Sequence, residues 1–260
     1  MVDVRPHPMT CTADEVMTVT AARQLHDGQV CFVGIGLPSE AANLARLSHA
    51  PGVVLIYESG TIGTRPNVLP LSIGDGELAE HADLVVSVPE VFAYWLQGGR
   101  IDIGFLSAAQ IDRYGNLNST VIGDYCKPRV RLPGAGGAPE IASAAGEVIV
   151  MLRHTRRAFV PVVDFVTSVG FGRHGEGRAG FPGAGPTVVI TDLGILRPDP
   201  VTNELVLVGI HPGVDLGDVR EQTGWPLVVA DDLVVTGPPT ESELTVLREL
   251  KARTERAHSA

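Results

Sequence analysis

Short apolar runs recur along the chain, set apart by glycine, proline and small polar residues, with helix-compatible segments between several of them. Thr12-Ala13-Asp14-Glu15 has the form of a capping box, and Gly28 stands where a left-handed glycine ends a helix, which predicts a first helix over about 13–27. QVCFV (29–33) then predicts a strand, GIGLP (34–38) a turn, SEAANLARLSHA (39–50) a helix and VVLIY (53–57) a second strand. DLVVSV (83–88), a helix opening at Pro89 and closing at Gly98-Gly99, and IDIGFL (101–106) continue the alternation. The predicted class is α/β, a mixed, largely parallel sheet flanked by helices.

Beyond LPGAGGAPE (132–140) the pattern becomes strand-rich. GEVIVML (146–152), AFVPVVDFV (158–166), TVVITDL (187–193) and ELVLVGI (204–210) predict strands, the last two joined across RPDPVTN (197–203), so an antiparallel extension of the sheet is expected. DLGDVREQTG (215–224) predicts a short helix. Thr240-Glu241-Ser242-Glu243 repeats the capping-box form ahead of a charged amphipathic helix that runs to the C-terminus. No linker, repeat or low-complexity tract interrupts residues 1–260, so one domain is expected.

Composition narrows the function. With 44% hydrophobic and 19% charged residues the chain is of the globular class, and its 30 glycines and 19 prolines concentrate between the apolar runs, where tight loops carry function. A formal charge of −10 disfavours nucleic acid as a partner of the general surface. Lys127 and Lys251 are the only lysines, which leaves Schiff-base chemistry with Lys127 as almost its sole candidate. Three widely spaced cysteines, Cys11, Cys31 and Cys126, suit a reducing compartment, and the cytoplasm is expected. The opening MVDVRPHPMT lacks an apolar signal core and the longest apolar runs are too short to span a bilayer, so no membrane association is expected. The eight histidines form no H-x-x-x-H pair and no Cys-x-x-Cys occurs, so no metal is expected.

Several segments have residue types suited to chemistry. In Tyr57-Glu58-Ser59-Gly60 an acid follows five β-favouring residues at once, and open α/β sheets bind ligands at the carboxyl ends of their strands; the bland alternative is an acid meeting solvent or capping a turn. No G-x-S-x-G accompanies Ser59, which removes the hydrolase elbow. Gly34-Ile35-Gly36 joins strand to helix, as an anion site or as an ordinary tight turn. Leu132–Glu140 is the most glycine-dense loop, where N–H groups approach an oxyanion or the chain merely connects. Lys127, Arg129 and Arg131 precede it, either solvated or facing a coenzyme A phosphate. Gly115-Asn116-Leu117-Asn118 reads as an amide-rich turn.

Taken in order, VGIGLPSEAANLA, YESG, GGRIDIGFLSAAQIDRYGNLNSTVIGDY, KPRVRLPGAGGAPEIA, FVTSVGFG, ITDLGIL and HPGV resemble the β subunits of class I coenzyme A transferases over nearly the whole chain, the glutaconate-type branch above all. The resemblance implies that Glu58, in Tyr57-Glu58-Ser59-Gly60, matches the nucleophile of the family's Ser-Glu-Asn-Gly motif, with changed neighbours. It implies that Gly136, Gly137 and Ala138 match the family's oxyanion and CoA-contacting G-G-A-x-D segment, Glu140 replacing the acid. It implies that Asn116 and Asn118 match a Gly-Asn-x-Asn turn whose amide orients the glutamate. It further implies CoA thioesters as substrates with no permanently bound cofactor, an α-subunit partner in a heterodimer or heterotetramer, and ping-pong transfer from succinyl-CoA to a dicarboxylic or keto acid, 3-oxoadipate foremost. A ring-cleaving hydrolase on the same fold and a non-catalytic scaffold subunit are the rival readings.

Overall fold

The computed structural model describes residues 11–259; the opening decapeptide read above for a signal core lies outside them. Helix α1 (Ala13–Ala22) starts at the predicted capping box, Thr12 accepting from Glu15 N and Glu15 from Thr12 N. It stops earlier than expected, at Arg23, whose guanidinium turns away to Glu243 and to the carbonyls of Gly237 and Pro238. Gly28, with φ +81°, serves the turn into strand β1 (Val30–Phe32) instead of ending the helix. Helix α2 (Leu37–Leu47) leads to β2 (Val54–Ile56), the antiparallel β3 (Thr61–Ile62), a short helix α3 (Gly76–Glu80) and the edge strand β4 (Leu84–Val85).

The helix expected from Pro89 is one turn of α-helix, α4 (Val88–Glu90), that widens into a π-helix over Val91–Leu96 before β5 (Ile103–Leu106). Two hairpins follow, β6 (Gln110–Ile111) with β7 (Leu117–Asn118) and β8 (Val121–Gly123) with β9 (Pro128–Arg131). The glycine loop then opens α5 (Ala138–Ala144), followed by β10 (Glu147–Met151), β11 (Pro186–Ile190), β12 (Gly194–Pro198), β13 (Leu205–Ile210), α6 (Leu216–Gln222), β14 (Val228–Val235) and α7 (Glu241–His258).

Among the described residues ten strands form one sheet in the order β14-β13-β12-β11-β10-β5-β1-β2-β3-β4. The five central strands, β11, β10, β5, β1 and β2, are parallel, and β12 and β13 add the expected antiparallel extension, although β14 returns parallel to β13. The apolar pattern, with RPDPVTN joining TVVITDL to ELVLVGI, predicts neither β12 nor β14. Gly194-Ile195-Leu196 is short, and Asp231-Asp232 interrupts the apolar run of β14, an edge strand with Val228, Val234 and Val235 exposed. AFVPVVDFV forms no strand. Among the described residues its β pairing is limited to an isolated bridge between Phe159 and Ile111, after which Pro161 has no N–H to offer and Val162 turns outward.

Successive side chains alternate between two apolar layers, as a pleated strand requires. Cys31, Leu55, Tyr57, Ile103 and Phe105 face α1, α2 and Leu247 of α7, while Phe32, Ile56, Leu106, Val148 and Val150 face Ile141 and Ala142 of α5. Gly104 leaves room for that helix, since a Cβ there would lie 2.5 Å from Ile141 Cγ2.

Candidate active site

Strand β1 has β2 on one side and β5 on the other, so the chain reverses its direction of winding between β1 and β5. Ligands of open α/β sheets bind outside the carboxyl ends of the strands at such a switch point. Here those ends contribute Gly34 from β1, Glu58 from β2 and Ser107 from β5, and with Gly136 and Gly137 they line one cavity of about 200 Å³. Phe32, Ile73, Phe105 and Ile141 give it apolar walls. On its other flank Glu58 borders a more open concavity with Phe92, Gly136, Gly137, Pro139 and Glu140. The half-buried Glu58 carboxylate stands between the two.

Tyr57 falls on the α2 face, buried, where its hydroxyl is 2.7 Å from Ser39 Oγ and accepts from Asn43 Nδ2 at 3.4 Å; burial pushes that phenol up to about 12. Glu58, one residue on, lies in the turn that follows the strand, with its carboxylate beside Gly136 and Gly137 at the start of α5. The turn is closed by Gly60 N–H donating to Tyr57 O at 3.0 Å. Only glycine fits its end. Gly60 has φ +102°, and a Cβ would lie 1.9 Å from Val86 O.

The glycine loop approaches the carboxylate as its composition suggests. A Cβ on Gly136 would sit 3.9 Å from both Glu58 oxygens, and one on Gly137 would sit 3.1 Å from Oε1 and 2.4 Å from Phe92 Cζ. Gly136 has φ +50°, whereas Gly137 has the ordinary φ of −81°, so crowding and not backbone conformation restricts the second position. Ala138 lines the cavity, but its N–H already donates to Ala135 O at 3.1 Å. Among the described residues no hydrogen bond engages the N–H groups of Gly136 and Gly137, or the Glu58 carboxylate.

Asn116 and Asn118 are placed differently. Both are buried: Asn116 Nδ2 donates to the Asp112 carboxylate and to Gly172 O, and Asn118 Nδ2 donates to Gln110 Oε1 and Val121 O. None of these bonds reaches Glu58. Their turn supports the glycine loop from below, through Ser119 Oγ donating to Gly134 O at 2.8 Å and Gly134 N donating to Ser119 O at 2.9 Å. Gly36, with φ +82°, caps α2 and does not line the cavity, while Lys127 is exposed at the tip of the β8–β9 hairpin. Phe92, Ile73 and Ser107 line the two concavities although nothing in their sequence context marked them. Phe92 owes its place to the π-helix, a distortion that favours functional sites and has no clear sequence signature.

Elsewhere, Glu77, Glu80 and His81 bring ligand atoms within 4.8 Å of one another, but Glu77 is occupied with the N–H groups of Asn67 and Val68. No helix of the described chain is long and apolar enough to cross a membrane.

The sequence profile described as coenzyme A transferase matches residues 15–222. The chain belongs to the coenzyme A transferase family. It is 60% identical over 249 residues to the β-type subunit of 3-oxoadipate CoA-transferase from Pseudomonas knackmussii, covering 95% of this chain and 96% of that protein. The crystal structure of glutaconate coenzyme A-transferase from Acidaminococcus fermentans superposes with a TM-score of 0.86 at 37% identity, over 92% of this chain and 94% of that one. Rhodococcus jostii IpdAB shares the coenzyme A transferase fold more distantly, with a TM-score of 0.78 at 25% identity over 96% of this chain and 98% of that one.

Proposed function

We propose that this chain is the β-type subunit of a heteromeric CoA-transferase and that Glu58 carries CoA between a donor, succinyl-CoA, and a carboxylic acid acceptor, 3-oxoadipate foremost. The observation that supports it best is the position of the Glu58 carboxylate, half-buried between two concavities and so close to the glycine loop that a Cβ on Gly136 or Gly137 would lie 3.9 or 3.1 Å from its oxygens. A Glu58 oxygen attacks the thioester carbonyl, the C–S bond breaks, and an acyl–glutamyl anhydride forms as CoA thiolate leaves. The thiolate then attacks the glutamyl carbonyl, expelling succinate and leaving Glu58 as its CoA thioester. The acceptor carboxylate runs the same two steps in reverse. Donors at Gly136 and Gly137 stabilise the oxyanion of each tetrahedral state, and the apolar walls keep water from the anhydride.

The proposed partner is an α-type subunit, in a heterodimer or heterotetramer, and the proposed compartment is the cytoplasm, in keeping with the free Cys11, Cys31 and Cys126. Coexpression with that partner and assay with succinyl-CoA and a panel of keto and dicarboxylic acids tests the reading. Transfer is expected from the complex and not from this chain alone, with 3-oxoadipate the best acceptor. Robust transfer by the isolated chain would contradict the heteromeric reading, and hydrolysis without transfer by the complex would favour a ring-cleaving or thioester hydrolase.

A further inference from the structure

Helix α5 carries the glycine loop at its start, so the contacts that seat its far end also set where Gly136 and Gly137 stand against Glu58. The helix has seven residues, about 10 Å, and a tilt at one end is felt at the other. Its last turn leaves the carbonyls of Ala142 and Ser143 without partners inside the helix, and a segment distant in the chain supplies them. Arg178 Nη2 donates to Ala142 O, Gly183 N to Ser143 O at 3.0 Å and Ala184 N to Gly146 O at 2.9 Å. Gly183 lies so close that a Cβ there would be 2.0 Å from Ala145 O.

Arg178 is the centre of this seat. It is half-buried, and among the described residues no carboxylate pairs with it. Main-chain carbonyls take that place: besides the bond to Ala142 O, Nε donates to Gly183 O at 2.9 Å and Nη1 to Val169 O and Gly170 O at 3.1 and 2.8 Å. The ring of Phe181, its centroid 4.8 Å from the guanidinium carbon, covers the group. A planar fork with five donors can serve three separate carbonyl-bearing segments at once, which the compact ammonium of a lysine cannot.

The Val169-Gly170 leg is fixed in turn. Gly170 N donates to Asn116 Oδ1 at 2.9 Å, and a Cβ on Gly170 would fall 2.2 Å from Tyr114 O. Ser119, just beyond the same turn, holds Gly134, so the glycine loop and its helix are fastened to one scaffold from both ends.

We propose that Arg178 is a positioning residue for CoA transfer, its guanidinium seating α5 and thereby holding the N–H groups of Gly136 and Gly137 at the carbonyl that Glu58 attacks. This rests on the CoA-transferase reading above. Those N–H groups act in the tetrahedral states, so displacing them lowers kcat and kcat/KM together. In the assembled complex Arg178→Ala is expected to lower kcat about thirtyfold or more, with the KM for succinyl-CoA changed by less than about twofold. Millimolar guanidinium should restore much of that loss, and Arg178→Lys, which keeps the charge but not the fork, should stay well below the parent. Hydrogen exchange of the peptide spanning 136–144 should speed up in Arg178→Ala and slow again with guanidinium. A lower melting temperature with parental kcat per folded complex, or a raised KM with kcat intact, would overturn the proposal while leaving transfer itself in place. If Arg178→Ala does not assemble, Arg178→Lys decides by the same division, and parental kcat in that variant rejects the assignment. If the parent complex transfers no CoA, the functional reading fails instead, and exchange still decides the seat: an unchanged rate over 136–144 rejects it.

Discussion

Two acidic residues, Glu58 and Asp112, sit close to strand ends in this molecule and differ in what surrounds them. Asp112 is buried and its Oδ1 accepts from Tyr114 N, Asn116 N and Asn116 Nδ2 at 3.0 to 3.1 Å, while Oδ2 accepts from the same amide at 3.0 Å. Desolvation holds its carboxyl above the usual range despite those bonds. Glu58 is half-buried, borders two concavities and receives no hydrogen bond among the described residues. The contrast teaches that the saturated cluster is scaffold, whereas the acid left open to two spaces is the one able to meet a substrate.

The comparison makes its largest prediction at Glu58. Glu58→Gln keeps the size of the side chain but removes the nucleophilic carboxylate, so transfer by the complex should fall by about a thousandfold or more with the melting temperature nearly unchanged. Steady-state kinetics beside calorimetry would check this, and a matching loss of stability would make Glu58 a structural residue after all.

Next is a pH effect on the scaffold. His154 is buried against Phe159 at 3.7 Å, with its ring nitrogens near Thr191 Oγ1 and Thr223 Oγ1. Burial pushes it down to about 4, only partly offset by Asp192. Between the unfolded value of 6.5 and about 4 the unfolded chain takes up a proton that the native chain refuses. Stability from this group is therefore complete above pH 6.5 and drains away as pH falls to about 4, by about 3 kcal/mol in all. Urea midpoints measured across that window should fall with acid, and a flat profile would contradict the assignment.

Gly137→Val should come third, lowering turnover about a hundredfold, because its side chain would enter the space of Phe92 Cζ and Glu58 Oε1. Wild-type turnover in an assembled complex would reduce the glycine loop to a connector. The smallest effect reads the other side of the comparison: Asp112→Ala leaves two backbone N–H groups and the Asn116 amide short of an acceptor, costing about 2 kcal/mol of stability with turnover of the folded complex retained. Denaturant melts and per-site activity separate the two.

Much of this was legible in the sequence, for identifiable reasons. Glu58 stood out because an acid directly ended an apolar run, and the glycine loop because consecutive glycines have few other uses. The parallel core was visible in the apolar runs of β1, β2, β5 and β10, which are buried on both faces. What escaped depended on contacts distant in the chain. The end of α1 is set by Arg23 reaching Glu243, 220 positions away. The fate of Asn116 is set by Asp112 and Gly172, which a turn motif alone does not reveal. Phe92 reaches the site through a π-helix, and β14 is an exposed edge strand, so neither follows the period of an α-helix or of a buried strand.

The most direct test of the account is the covalent state of Glu58 during turnover. The complex incubated with succinyl-CoA and no acceptor should gain the mass of CoA less one water on the peptide that contains Tyr57 to Gly60, and borohydride should reduce that thioester and fix the modification at Glu58. The Glu58→Gln complex should gain nothing. An adduct on the partner chain, or native transfer with no adduct on this peptide, would contradict the claim that Glu58 carries CoA.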